Sequence, residues 1–169
     1  MREEVGQMDE AGRGTGADGA GKRIDIISDT HGLLSDGLLA QLEGADLIIH
    51  AGDITSDADY LHLRSLAPLR AVLGNNDWPG EYGPEVGRSA RFSYEGLDFA
   101  VSHYREMLPV DDVDVAVCGH THVARIERLG RCTVVNPGSA SYPRGRRGAT
   151  IARMRVVAGR ILSLEIVDL

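Results

Sequence analysis

Apolar and polar positions fall into blocks along the chain. Ile24, Ile26 and Ile27 form a β-branched run that stops at Ser28-Asp29-Thr30-His31-Gly32, as a strand does on entering a polar loop. Leu33 to Leu42 then has helical spacing, and Asp46 to His50 is a short apolar strand ending in Ala51-Gly52-Asp53. Leu61, Leu63 and Leu66 predict a second helix, and Arg70 to Leu73 a third strand that ends in Gly74-Asn75-Asn76-Asp77. Strands alternating with helices imply right-handed crossovers and parallel pairing.

After Trp78-Pro79-Gly80 the pattern becomes strands with short connections, over residues 89–94, 97–102, 113–118, 123–128, 132–135, 149–157 and 160–167. Glu95-Gly96 and Ala158-Gly159 each sit between strand-like runs, as tight hairpins require. The expected fold class is therefore α/β, with a β-rich second half, two sheets face to face and helices outside. No solenoid repeat or heptad pattern is visible.

A chain of 169 residues suits one domain, expected over residues 22–169. Residues 1–21 are rich in glycine and charge, with too little apolar surface to offset the entropy of ordering, and predict a disordered tail. The net charge of −7 argues against broad adhesion to nucleic acid or anionic membrane. Arg144 to Arg147 is the one basic run, either a solvated loop or a contact for a substrate phosphate. Cys118 and Cys132 lack the spacing of a disulfide framework or a thiolate metal knuckle. The amino-terminal segment has no apolar signal-peptide core and no run is long enough to span a bilayer, so the expected location is cytoplasmic.

Chemistry-bearing residues cluster at the ends of the strands. Asp29, Asp53 and Asn75 each stand just past an expected parallel strand, the edge where open α/β sheets bind ligands. His103 ends another strand, and His120 and His122 follow a fifth. Asp-x-His and His-x-His place two donors on a turning backbone, close enough to hold one cation. A mixed nitrogen and oxygen shell suits Mn, Fe, Ni or Zn better than Ca or Mg. His62, on an expected helix, reads as a surface residue, and His50, inside an apolar strand, as a packed histidine outside the metal shell.

With Ser28-Asp29-Thr30-His31-Gly32, Gly52-Asp53, Gly74-Asn75-Asn76-Asp77, Ser102-His103, Gly119-His120-Thr121-His122 and Asn136-Pro137-Gly138-Ser139 in order, the chain resembles the calcineurin-like metallophosphatases, in particular their small YfcE-like phosphodiesterase branch. The resemblance implies a two-sheet αββα sandwich and two divalent metal ions, with Mn the first choice. Asp29, His31 and His122 would complete one metal site and Asn75, His103 and His120 the other, with Asp53 bridging both. It further implies that Asp53, Asn75 and His103 serve catalysis, that a hydroxide between the ions attacks small phosphodiesters, and that Asn136-Pro137-Gly138-Ser139 builds the loop beside the metals. Asn76 and Arg144 are the expected substrate contacts.

Three positions depart from the family pattern. Asn76 replaces a histidine associated with the leaving group, Tyr104 follows His103 in place of glycine, and the stretch from His103 to His120 is short, lacking much of a helix. Two other functions share this fold: a protein-binding scaffold, as the eukaryotic retromer subunit is, and a nuclease. The complete ligand set speaks against the first and the acidic charge against the second. A small phosphodiester is the expected partner, and homo-oligomers fit the sequence as well as monomers do.

Overall fold

A computed structural model of the protein describes residues 21–169; the tail expected over residues 1–21 lies outside them, Gly21 excepted. The first half builds β1 (Lys22–Ile27), α1 (Asp36–Leu42), β2 (Leu47–His50), α2 (Asp57–Leu66) and β3 (Leu69–Ala71). The second half adds β4 (Ser89–Tyr94), β5 (Leu97–Ser102), a 3₁₀ turn (Arg105–Met107), β6 (Val115–Val117), β7 (Ala124–Leu129), β8 (Cys132–Pro137), β9 (Thr150–Val157) and β10 (Arg160–Asp168).

The strands form two five-stranded sheets, ordered β10-β9-β1-β2-β3 and β4-β5-β6-β8-β7. In the first, β1, β2 and β3 run parallel through the two helical crossovers, while β9 returns antiparallel to β1 and β10 antiparallel to β9. In the second, β5, β6 and β8 are parallel, with β4 and β7 as antiparallel edges. Both expected hairpins are present, and Glu95, Gly96, Ala158 and Gly159 all have positive φ, as two-residue turns of the twist-compatible kind need. The two tips touch: Gly159 N–H donates to the Glu95 carbonyl at 2.7 Å, and a Cβ on Gly96 would lie 2.9 Å from Gly159 N.

The sheets pack through Ile24, Ile26 and Ile49 on one side and Phe99, Val115 and Val117 on the other. Such buried aliphatic and aromatic side chains each contribute about 1.5–3 kcal/mol of transfer free energy. Leu38, Leu42 and Leu63 seat the helices on the outer face of the first sheet. Ser35 and Ser56 cap them, each accepting a backbone N–H three residues on at 3.1 Å. α1 has no basic residue in its last turn. Arg23 and Arg153 on the sheet below donate to the Gln41 carbonyl instead, both anchored by the buried Asp25 carboxylate.

The second sheet carries less. Among the described residues, only the 3₁₀ turn and the loop to Val113 lie over its outer face, with Leu108 and Val113 packed on Ala116 and Cys132. The αββα expectation thus holds for the two sheets and the first helical layer. The second layer is reduced, as the short His103–His120 stretch implied.

Candidate metal centre

Every strand end named in the sequence reading meets at one edge of the sandwich, and the backbone there is bent to allow it. Asp29, His31, Asp53, His120 and His122 have φ between 46° and 70°, a left-handed region that L-residues seldom occupy. The loops after β1 and β2 hold one another in it: His31 N–H donates to the Asp53 carbonyl at 3.0 Å and Gly32 N–H to the Ile54 carbonyl at 2.9 Å. Close approach excludes side chains at two glycines, since a Cβ on Gly74 would sit 2.1 Å from Asp53 Oδ1 and one on Gly119 2.0 Å from Ser28 Oγ.

Asp29, His31 and His122 come together as expected. Asp29 Oδ2 accepts from Ser28 Oγ at 2.6 Å and His120 N–H at 3.0 Å, which leaves Oδ1 buried with no hydrogen-bond donor. Facing it at 3.1 Å is His122 Nε2. The other ring nitrogen of His122 donates to the Tyr142 carbonyl, so in the neutral ring Nε2 carries only a lone pair. His31 Nε2 lies 3.2 Å from the same atom.

The second group is built alike. His103 Nδ1 donates to the Ala51 carbonyl at 2.8 Å, which turns Nε2 toward Asn75 Oδ1 at 3.0 Å, and His120 Nδ1 lies 3.1 Å from that oxygen. Asp53 Oδ2 stands between the groups, 3.6 Å from His31 Nε2 and 3.4 Å from His103 Nε2. Asp29 Oδ1 is also shared, being 3.8 Å from His31 Nε2 and 3.9 Å from His103 Nε2.

Lone pairs that converge on buried space repel unless positive charge lies among them, so the donor set fits divalent cations. The ionisation of the groups agrees. Burial opposes charge on both Asp53 and His103. Hydrogen bonds from His103 and Asn76 nevertheless hold the Asp53 carboxyl well below the ordinary carboxylate range, and Asp53 and Asp29 raise the His103 imidazole above its usual value. The cluster attracts positive charge, a proton where no metal is bound.

Asn76, expected at the substrate, directs both its backbone N–H and its side-chain amide to the Asp53 carboxylate, at 2.8 and 2.9 Å. Arg144 is exposed and shares a surface pocket with His31, His122 and Tyr142. The Asn136 loop does hold the site: Asn136 Nδ2 donates to the Gly119 carbonyl at 2.9 Å, and Ser139 Oγ to the Asp29 carbonyl at 2.7 Å.

Asp77, which the sequence suggested only as an alternative source of the leaving-group proton, holds the loops after β2 and β3 together. Its carboxylate is buried and accepts the backbone N–H groups of Asp53 (2.7 Å), Ile54 (3.3 Å), Thr55 (2.8 Å) and Gly74 (2.7 Å), together with the Tyr82 hydroxyl at 2.9 Å. The one signal was its place in Gly74-Asn75-Asn76-Asp77.

His50 lies outside both groups. It is fully buried, accepting Gly52 N–H at Nδ1 and bonding Thr30 Oγ1 through Nε2 at 2.9 Å. Burial, opposed by Asp77, pushes its pKa down to about 4. Between that value and about 6.5 the unfolded chain binds a proton that the folded chain refuses, so stability falls as pH falls through this window, by up to about 3 kcal/mol. Urea midpoints of chelator-treated protein at pH 7 and pH 4.5 check this. A His50→Gln variant should lose that share of the acid sensitivity, and an identical difference in both proteins would clear His50.

Among the described residues no helix is long and apolar enough to cross a membrane. The chain matches a calcineurin-like phosphoesterase superfamily domain over residues 23–159. It is 34% identical over 138 residues to a probable metallophosphoesterase of Methanothermobacter thermautotrophicus, covering 72% of this chain and 78% of the relative. Among solved structures it is similar to the E. coli phosphoesterase YfcE (TM-score 0.64, 23% identity, 85% of this chain and 98% of that one). It is also similar to an archaeal phosphodiesterase (TM-score 0.67, 24% identity, 86% and 99%) and to Vps29 of Chaetomium thermophilum (TM-score 0.68, 20% identity, 86% and 97%). These structural likenesses concern the fold. The family match and the archaeal relative, taken with a carboxylate and histidine cluster at the strand ends, place this chain among the metallophosphoesterases of the calcineurin-like superfamily.

Proposed function

We propose that the protein hydrolyses small phosphodiesters with two divalent cations, Mn first among them. Asp29, His31 and His122 hold one ion, Asn75, His103 and His120 the other, and Asp53 lies between. The observation that carries this reading is the pair of donor groups, Asp29 with His31 and His122 and Asp29 with Asp53 and His103, with Asp53 Oδ2 3.6 Å from His31 Nε2 and 3.4 Å from His103 Nε2. Cations bound there polarise the phosphoryl oxygens and make water a nucleophile near neutral pH. The chain supplies the rest. Ala51 and Tyr142 carbonyls fix the ring orientation of His103 and His122, Asn76 orients Asp53, and Arg144 offers a planar donor fork at the pocket rim for a phosphate oxygen. The archaeal phosphodiesterase of similar fold supports the choice of diesters.

The test is elemental analysis of reconstituted protein followed by a diester and monoester panel. Two metals per chain with diester turnover is the expected result. A stoichiometry that never exceeds one at full activity rejects the two-ion assignment, and metal uptake without any hydrolysis favours the scaffold.

Asn76, His50 and Asp77 supply no acid for the leaving group. Asn76 cannot donate as an imidazolium does, His50 has both ring nitrogens engaged, and both Asp77 oxygens accept backbone hydrogens. An imidazole acid is typically worth 10²–10⁴-fold, so hydrolysis should slow steeply as the departing alcohol becomes more basic. Aryl diesters such as bis(p-nitrophenyl) phosphate should turn over far faster than alkyl diesters at saturating Mn. A shallow dependence would mean that another group delivers the proton.

A further inference from the structure

The reduced outer layer of the second sheet leaves a cavity of about 280 Å³ directly beside the metal edge. Its floor is Cys118 and Val134, one wall is Tyr104, and the other is Val123 with Arg125 and Glu127 of the β7 edge strand. His120 lines it too, and the same ring reaches Asn75 Oδ1 through Nδ1. The cavity and the candidate metal site are thus contiguous, separated by one imidazole.

The chemistry of the lining is selective. The floor is apolar and neutral, since burial pushes the Cys118 thiol up to about 11. Tyr104 stands edge-on to His120 with ring centroids 4.7 Å apart, which holds its ring upright at the mouth. Arg105 and Glu127 pair across the rim, and Arg125 lies 3.6 Å from the same carboxylate. An aromatic wall, an apolar floor and guanidinium groups at the edge together recognise a flat ring, through stacking, burial and cation–π attraction. The volume lies just below the range of about 300–1,000 Å³ usual for drug-sized ligands, which allows one ring system and excludes an oligomer.

From this contiguity we propose that the cavity is a specificity pocket receiving a planar aromatic group, of nucleobase size or smaller, carried by the phosphoester whose phosphate sits at the metal edge. The pocket rests on the phosphodiesterase reading above. It replaces the helical layer that the short His103–His120 segment does not build, and Tyr104, in the place of a usual glycine, becomes one of its walls.

The experiment is calorimetric titration of the Mn-loaded protein with methylphosphonate and benzylphosphonate, which share the phosphate-like head and differ in the ring. Benzylphosphonate should bind at least about tenfold more tightly, the scale on which an apolar pocket discriminates. Val134→Phe, which fills the floor, and Tyr104→Ala, which removes a wall, should each bring the ratio toward one. Equal affinities in the unmodified protein overturn the pocket without any variant. A tenfold ratio that persists in both variants places the ring elsewhere and overturns it as well. If neither phosphonate binds and no diester is hydrolysed, the phosphodiesterase reading itself has failed, an outcome distinct from methylphosphonate binding alone.

Discussion

Asp53→Asn should lower the proposed phosphodiester turnover by more than about 100-fold and reduce bound metal. Loss of a residue that only orients a metal ligand costs about 10–100-fold, and Asp53 faces both donor groups itself. The amide is nearly isosteric, so the fold has no reason to fail. It removes the negative charge that would balance the two proposed dications, and it presents an N–H₂ group either to the site or to the Asn76 donors that now hold the carboxylate. Turnover and elemental analysis at limiting Mn are the measurements. Wild-type rates there would show that Asp53 is not the shared ligand, leaving Asp29, whose free oxygen also lies within reach of His31 and His103, as the alternative.

Asp77→Asn is expected to cost about 1–3 kcal/mol of stability, although Asp77 belongs to neither donor group. The carboxylate satisfies four backbone N–H groups of the loops after β2 and β3. An asparagine has one acceptor oxygen in its place and turns an N–H₂ group toward the remaining donors. With the amide oxygen in the place of Oδ2, the Thr55 N–H is left without an acceptor, and a buried donor left unpaired costs about 1–3 kcal/mol. Metal content should fall with stability, because the same hydrogen bonds hold Asp53 and Thr55 at φ of 58° and 57°. Urea denaturation together with metal analysis tests both halves. An unchanged midpoint would show that the loop holds its shape without this carboxylate.

The contrast between these two residues measures what a sequence displays. Asp53 was visible because a β-branched run stops at Gly52-Asp53, and the end of a parallel strand is a place as well as a pattern. The structural part played by Asp77 was not, since most of its partners are main-chain groups, three of them more than twenty residues away, that leave no trace in side-chain identity. Asn76 was legible as a departure from the family, but its commitment to Asp53 depends on the turn that carries it. The same holds for smaller discrepancies. Helical spacing begins at Leu33, yet α1 starts at Asp36 because Ser35 caps it. β3 ends at Ala71 rather than Leu73, since Leu73 N–H turns to the Gly87 carbonyl at 2.8 Å. A third hairpin, β7–β8 through Gly130, joins two strands that the sequence predicts without naming their turn, an exposed edge strand and a buried one.

The strand order of the first sheet bears on how the protein is made. β1 lies between β2 and β9, so one flank of its first strand is filled by residues 150–157, near the end of the chain. On a ribosome, the ligand loops after β1, β2 and β3 emerge early, but Ile24 and Ile26 wait for Ala152 and Met154 before their sheet is complete. Until then β1 presents an open edge that another chain could pair with. Synthesis through residue 149 therefore yields all seven candidate metal ligands without a finished sheet, which closes only once residues 150–157 have left the exit tunnel.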